Sequence, residues 1–443
     1  MRIAVVGSGI SGLGCAWLLS QRHEVTLYEA EPRLGGHSHT FEIVDGDRRI
    51  PVDTGFIVYN ERNYPNLTRL FGALDVPTQP SDMSFGVSVG GGRIEYCGSG
   101  PRSLFAQSGN LLNLDFHRML LDIVRFNREG QAALERPIDD AATLGDFLDR
   151  HGFRDAFRQH YLLPMAAAIW SGSTAGMLDF PLFSFLRFFA NHGLLTVNDQ
   201  PDWRTVTGGS RIYVERLTRA MLATVRPSSP VVRVRRAGDT VEVHDQRGGL
   251  SFFDQVVLAC HADQALDVLE TPSAGEREIL GSFAYRQNLA VLHRDAALMP
   301  KRRAAWASWN YVTPAAGETG KPTGVTYWMN RLQGIDPTYQ VFVSLNPMRP
   351  PVAHLEIARF TYAHPQFTTA TLRAQRRLVE IQGRDKVWFA GAHWGYGFHE
   401  DGLRSGLEVA AGLGVRPPWW RAIGTGEGGA AISLPLPAAA KPE

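Results

Sequence analysis

The segment Arg2-Ile-Ala-Val-Val6, followed directly by Gly7-Ser-Gly9-Ile10-Ser11-Gly12, limits what this chain can fold into more than any other. It predicts a short, mostly apolar strand, a glycine turn and a helix over 11–22. A second apolar run, Val25-Thr-Leu-Tyr28, then ends at Glu29, 20 residues past Gly9. Each part has a task in a strand–turn–helix–strand unit that holds a dinucleotide. Gly7 permits the tight turn, and Gly9 lets backbone approach a pyrophosphate with no side chain in the way. Gly12 lets the helix pack closely on the sheet. The N–H groups around Ile10 and Ser11 point the positive helix end at the phosphates. Glu29, with Ala30 beside it, stands where a carboxylate accepts both hydroxyls of an adenosine ribose.

The next residues choose between dinucleotides. Glu29 is followed by Ala30-Glu-Pro-Arg33-Leu-Gly35-Gly36-His37. A nicotinamide enzyme has no need of a second glycine pair here. In flavoproteins with two dinucleotide folds, such a pair lets the chain cross the extended FAD pyrophosphate and ribityl, with a basic residue nearby. On these residues the chain resembles the flavin-containing amine oxidase and phytoene desaturase superfamily. The resemblance implies FAD and a Rossmann-like α/β FAD-binding domain. It also implies an inserted α+β substrate domain, in a two-domain architecture like that of p-hydroxybenzoate hydroxylase. His37 and His39 alternate without an acid or Cys partner, so no metal site is expected.

Composition agrees. At 443 residues the chain can hold two or three packed lobes, and 44% hydrophobic with 20% charged residues is ordinary for a globular protein. A net charge of +1 names neither nucleic acid nor an acidic partner. Cys15, Cys97 and Cys260 stand far apart with no CxxC, which suggests a reducing, cytoplasmic setting. The apolar N-terminus is read as strand and helix, not as a leader. No run of 18 apolar residues exists to span a membrane. Peripheral contact with the inner membrane face stays open.

The FAD-binding domain is expected from three pieces: 1–80, 205–270 and 380–415. The first includes Val52-Asp-Thr-Gly55-Phe56, where Gly55 suits either a backbone lying against a flat ring or a simple turn. The second opens with Val206-Thr-Gly-Gly-Ser and a helix over about 211–224. Paired strands follow at Pro230–Arg235 and Thr240–His244, then a buried strand Phe253–Ala259. By resemblance, Val231 holds the adenine through its backbone; a core valine would read the same. The third is Val387-Trp-Phe-Ala-Gly391-Ala392, then His393 to His399-Glu400-Asp-Gly402 and a helix from about 401. In the superfamily that helix aims its N-terminus at the pyrimidine end of the flavin, where reduced flavin carries negative charge. The resemblance therefore adds Gly391, Ala392, His399, Glu400 and Gly402 to the cofactor residues.

Residues 81–204 and 271–379 are expected to build the substrate domain, and 416–443 a loosely held tail. The first insertion reads as helical and is apolar around Phe180–Phe189, either a tunnel wall or an ordinary buried helix. The second is rich in aromatics, including Trp306–Tyr311 and Thr326-Tyr327-Trp328-Met-Asn330. Such clusters are core or pocket; Trp328, Asn330 and Asn346 combine apolar mass with polar handles, as pockets do. Tyr327, Trp328 and His399 are the catalytic candidates. Trp419-Trp420 docks on the body or on a lipid surface.

Longer motifs give a narrower resemblance, to the bacterial "predicted NAD/FAD-binding protein" group of the superfamily. These are Pro164-Met-Ala-Ala-Ala-Ile-Trp-Ser, Phe188-Phe-Ala-Asn-His-Gly-Leu-Leu, Trp306-Ala-Ser-Trp-Asn-Tyr, Tyr327-Trp-Met-Asn-Arg-Leu-Gln and Gly397-Phe-His-Glu-Asp-Gly402, over nearly all of 1–415. Members are often encoded beside cyclopropane-fatty-acyl-synthase-like methyltransferases, which implies an apolar or lipid acyl substrate. Amine oxidation fits less well. Many amine oxidases place a lysine by the flavin N5, and Lys301, Lys321, Lys386 and Lys441 all stand in unsuitable contexts. The resulting expectation is an FAD-dependent oxidoreductase of oxidase, dehydrogenase or desaturase type, taking hydride from an apolar substrate. A redox-neutral flavin isomerase and a non-catalytic flavoprotein partner of a lipid methyltransferase remain the alternatives.

Overall fold

The computed structural model describes residues 1–136, 139, 141–170, 174–196, 200–313 and 324–420. At its centre, strand Arg2–Val6 lies in a five-stranded parallel sheet between Glu24–Tyr28 and Gln255–Leu258, with Thr224–Arg226 and Val387–Phe389 at the edges. The run can be apolar on both faces because both are covered. Ile3 and Val5 pack with helices Ile10–Leu19 and His399–Gly412. Ala4 and Val6 pack toward the antiparallel sheet Val231–Ala237, Thr240–Asp245, Leu250–Phe253. The two helices touch backbone to backbone: a Cβ on Gly406 would stand 2.2 Å from the Ser11 carbonyl oxygen.

Two expectations here need correction. The helix read over 211–224 is Arg211–Arg219, and the edge strand Thr224–Arg226 follows it. The run Phe253–Ala259 is split between two sheets. Leu250–Phe253 ends the antiparallel one and Gln255–Leu258 joins the parallel one, with the Asp254 amide donating to the Arg2 carbonyl (2.8 Å) at the crossing.

The second lobe is a seven-stranded sheet in the order Glu356–Pro365, Tyr285–His293, Phe342–Leu345, Gly324–Trp328, Trp309–Val312, Phe85–Val89, Ile94–Cys97. Its last two strands come from the insertion read as helical. Gly90 and Gly91, both at positive φ, turn that hairpin, and Phe85–Val89 pairs in parallel with Trp309–Val312. Helices Leu114–Leu134, Leu163–Trp170 and Leu182–Asn191 cover one sheet face in an aromatic core that includes Phe126, Phe157, Phe185 and Phe189. Trp419 and Trp420 dock on the body: Trp419 stacks on Trp17 (6.1 Å) and donates to Asn66 Oδ1 (3.2 Å). The rest of the expected tail lies outside the described residues. No helix among those described is long and apolar enough to cross a membrane.

Candidate active site

A cavity of about 1910 Å³ runs from the glycine turn, between the two sheets, into the helical side of the second lobe. At the nucleotide end its wall is mostly backbone. Gly7 has φ +103, and a Cβ there would stand 2.8 Å from the Ala259 carbonyl oxygen. Gly9 caps helix Ile10–Leu19 with no side-chain acceptor, and nothing lies within 4 Å of where its Cβ would be. Free helix N–H groups thus face open space, as a phosphate requires. Glu29 is held ready beside them. One carboxylate oxygen accepts from the Ser8 amide (2.9 Å) and hydroxyl (2.5 Å), the other from the Glu31 amide (2.8 Å). The Arg33 guanidinium lines the cavity with a buried Nη1 that has no hydrogen-bond partner among the described residues. A buried cation donor without an acceptor is costly, and an anionic pyrophosphate supplies one. An uncapped helix end, a space over glycine and an orphaned guanidinium all fit FAD.

Of the expected cofactor residues, Gly7, Gly9, Ile10, Ser11, Glu29, Ala30, Arg33, Gly36, His37, Gly55, Val231, Gly391, Ala392 and His399 stand in the cavity wall. Gly12, Gly35, Glu400 and Gly402 do not. Gly12 is a packing glycine, since its Cβ would sit 1.8 Å from the Gly7 carbonyl oxygen. Gly35 would meet the Ser38 carbonyl (2.9 Å), and Gly402 would meet Ser11 Oγ (2.9 Å). Glu400 is turned away from the cavity. Its carboxylate accepts from the Asn66 and Leu67 amides (3.0 Å each), closing the N-terminus of helix Pro65–Ala73, and burial pushes its acid up to about 7. Gly55 is in the wall and is also forced by packing: a Cβ there would lie 2.1 Å from the His37 carbonyl oxygen.

Beyond the nucleotide end the wall becomes aromatic. His399, a catalytic candidate, stacks on Phe56 (3.8 Å between centroids), and its Nε2 meets Ser38 Oγ (2.9 Å) and Tyr213 Oη (3.1 Å). Burial pushes this imidazole down to about 3, so it is neutral and held in place. Tyr327 lines the cavity edge-on to Trp309 (4.8 Å), its cross-strand partner. Trp328, the next residue on the strand, points to the opposite face. There its Nε1 donates to Gln340 (2.9 Å) and the Arg303 guanidinium covers its ring. Trp328 therefore leaves the candidate set. Asn330 and Asn346 leave the pocket for a similar reason. Asn330 spends its amide on the Asp336 and Tyr339 carbonyls, and Asn346 exchanges both backbone and side-chain bonds with Leu289.

A group of residues not picked out from the sequence closes this part of the site. His261 stacks on Tyr285 (4.3 Å), and His37 lies within 5.4 Å of both Tyr362 and His364, centroid to centroid. Burial lowers all three imidazoles, with His364 at about 4, so the patch is polar and uncharged near neutrality. His261, Tyr285, Tyr362 and His364 come from three distant segments. Their only sequence signal was the alternation of Tyr285 with Gln287 and of Tyr362 with His364. Phe188 of helix Leu182–Asn191 and His192, the C-cap after it, reach the cavity, while Phe185 and Phe189 are fully buried in the core. Arg187 lies over the Phe183 ring (5.4 Å) and has no carboxylate partner among the described residues. Of the lysines, Lys301 and Lys386 do not line the cavity; Lys321 and Lys441 lie outside the described residues.

A parallel dinucleotide fold joined to a mixed-sheet lobe across one long cavity defines a two-domain flavoprotein. The sequence profile of flavin containing amine oxidoreductases matches residues 10–287, and the chain belongs to that family. Its cofactor is FAD. Among characterised proteins it is similar to a carotenoid phi-ring synthase of Streptomyces griseus, 32% identical over 174 residues, covering 35% of this chain and 32% of that protein. An L-amino-acid oxidase of Siganus canaliculatus is 24% identical over 316 residues, covering 67% of this chain and 55% of that protein. The chain thus spans about a third to a half of the length of these relatives. Among solved structures, a CLA-producing fatty acid isomerase from P. acnes superposes with a TM-score of 0.69 at 16% identity, over 94% of this chain and 99% of the other. Cyclohexylamine oxidase from Brevibacterium oxydans gives 0.65 at 15% identity, over 93% and 98%. These superpositions show the fold.

Proposed function

We propose that this flavoenzyme takes hydride from a C–H bond of a long, mostly apolar substrate, of lipid acyl or polyene type. The observation that carries this reading is the course of the cavity. It continues past the aromatic wall between Phe188, Met165, Ile169, Leu120 and Ile123, with no lysine or carboxylate among those residues to meet an ammonium group. FAD, when bound, supplies the hydride acceptor. The protein's part is position, a dry pocket and donors for the reduced cofactor's charge. The N-terminus of helix His399–Gly412 and the backbone at Gly391 and Ala392 would face that charge. The neutral histidines are suited to keeping the pocket polar without offering a competing cation.

Relatives named for carotenoid chemistry and a structural neighbour named as a fatty acid isomerase support an apolar substrate. The absence of a described lysine in the cavity weighs against an amine oxidase that relies on one. The isomerase reading draws on the same neighbour. Anaerobic addition of a fatty acyl or polyene substrate to the yellow protein decides between them. Bleaching of the flavin with formation of a dehydrogenated product is the expected result. Double-bond movement that requires previously reduced flavin would instead identify the isomerase. No bleaching and no product with any apolar compound, including those extracted from the purified protein, would overturn both.

A further inference from the structure

We propose that the face formed by residues 101–124 docks on an anionic lipid bilayer and that the cavity receives its substrate from that membrane, an inference that rests on the apolar-substrate reading above. Leu111, Leu112, Leu114, Leu121 and Val124 are 53%, 90%, 70%, 68% and 59% exposed. Single exposed leucines are ordinary, but a cluster this dense marks an interaction surface. These side chains cannot simply turn inward. Helix Leu114–Leu134 is capped by Asn113, which accepts from the Asp115 and Phe116 amides (3.0 and 3.2 Å), and its Phe116, Met119 and Phe126 already fill the core. The opposite side of the helix is committed, so the leucines are held toward solvent.

The patch adjoins the mouth of the cavity through Val124 and the neighbouring Leu120. Gly98, Ser99, Leu104, Leu120 and Val124 line it, and Gly98, Ser99 and Val124 are also exposed, which makes them its rim. Charge decides what covers this patch. Arg93, Arg102 and Lys301 are exposed and make no ion pair with another described residue. Buried Glu95 fastens their segments beside the leucines. Its carboxylate accepts from the Lys301 and Arg302 amides (2.7 and 3.1 Å), and its carbonyl accepts from Asn110 Nδ2 (3.2 Å). An apolar patch flanked by unpaired cations matches an interface with anionic headgroups. A second copy docked about a two-fold axis would bring the same cations against each other. A lipid surface satisfies both halves of the patch, and an acyl chain entering at Leu120 would exchange one apolar surface for another.

Flotation of the FAD-loaded protein with vesicles tests this, using phosphatidylglycerol mixed with phosphatidylcholine against phosphatidylcholine alone. Wild type should float with the anionic vesicles. L112D/L121D should lower partitioning by roughly tenfold or more, the scale of an exposed leucine lost from an apolar contact. R102E/K301E should weaken binding and reduce its salt dependence. Both should keep the flavin spectrum and the thermal midpoint; if an Asp variant loses either, L112S carries the same comparison. Failure of wild type to float, equal flotation of all variants, or a dimer that L112D dissociates without affecting vesicles would overturn the proposal. Partitioning is read without turnover, so this result stands apart from whether the enzyme oxidises an apolar substrate.

Discussion

The two ends of the cavity are built in opposite ways. At the nucleotide end the wall is backbone, supplied by glycines and a helix terminus close together in the chain: Gly7 to Ser11, Glu29 to His37. At the substrate end it is side chains, drawn from helices and strands as far apart as Tyr96, Phe188 and Tyr327. Backbone geometry repeats wherever the same ligand must be held, because few dihedral combinations place N–H groups around a phosphate. Side-chain walls can change one residue at a time without harming the sheet behind them. The first end therefore tells what family the chain belongs to, and the second holds what distinguishes it within that family.

The contrast can be broken most directly inside helix Leu182–Asn191. Phe185 is fully buried against Phe126, Trp170 and Phe189. Phe185→Ala should cost about 3–5 kcal/mol of stability, seen as a large drop in thermal midpoint with flavin still bound below it. Phe188→Leu, three residues on and in the cavity wall, should cost less than about 1.5 kcal/mol and instead shift the preferred substrate length. Equal destabilisation by the two would show that the helix has no cavity face. At the nucleotide end, Glu29→Ala should weaken FAD retention by about 1.5–3 kcal/mol for each ribose hydrogen bond lost. Flavin released on dilution measures it. Unchanged retention would remove Glu29 from the ribose site.

The smallest expected effect concerns the neutral histidines between the two ends. A buried imidazole with a lowered pKa binds fewer protons folded than unfolded, so its contribution to stability falls as pH drops below the unfolded value of 6.5 and levels off near 4 for His364. Glu400 and Glu408, each pushed up to about 7 by burial, act in the opposite direction: they cost stability as pH rises through 4.5 to 7. The wild-type profile is therefore a compromise, and the difference between variants is the useful readout. His364→Asn should reduce the fall in thermal midpoint between pH 6.5 and 4.5 relative to wild type. A profile parallel to wild type would mean His364 takes up its proton as readily in the folded protein as in the unfolded one.

Residues close in sequence were read well because the ligand contacts them through local backbone. Gly9 could be placed with no knowledge of the rest of the chain: what matters is that nothing grows from its Cα. Glu400 shows where that reading stops. It sits in the right helix turn, yet its carboxylate faces Asn66, a partner 334 positions away that no local pattern indicates. Trp328 fails in a related way. Strand character was legible from Thr326-Tyr327-Trp328, but a one-residue alternation decides which aromatic enters the cavity, and the face is set by the pairing of Trp309 with Tyr327.

The chain by itself determined the parallel dinucleotide sheet, the FAD turn and the family, since each follows from short-range constraints on backbone: positive φ, close helix–sheet contact and free N–H groups. The folded molecule alone decided the rest. Only there do His37, His261, Tyr285 and His364 meet, does Phe185 part from Phe188, and are the leucines of 111–121 left exposed beside Val124 in the cavity wall. Those arrangements depend on contacts between distant segments, and a side chain's role in them follows from the neighbours that packing supplies rather than from the residues beside it in the chain.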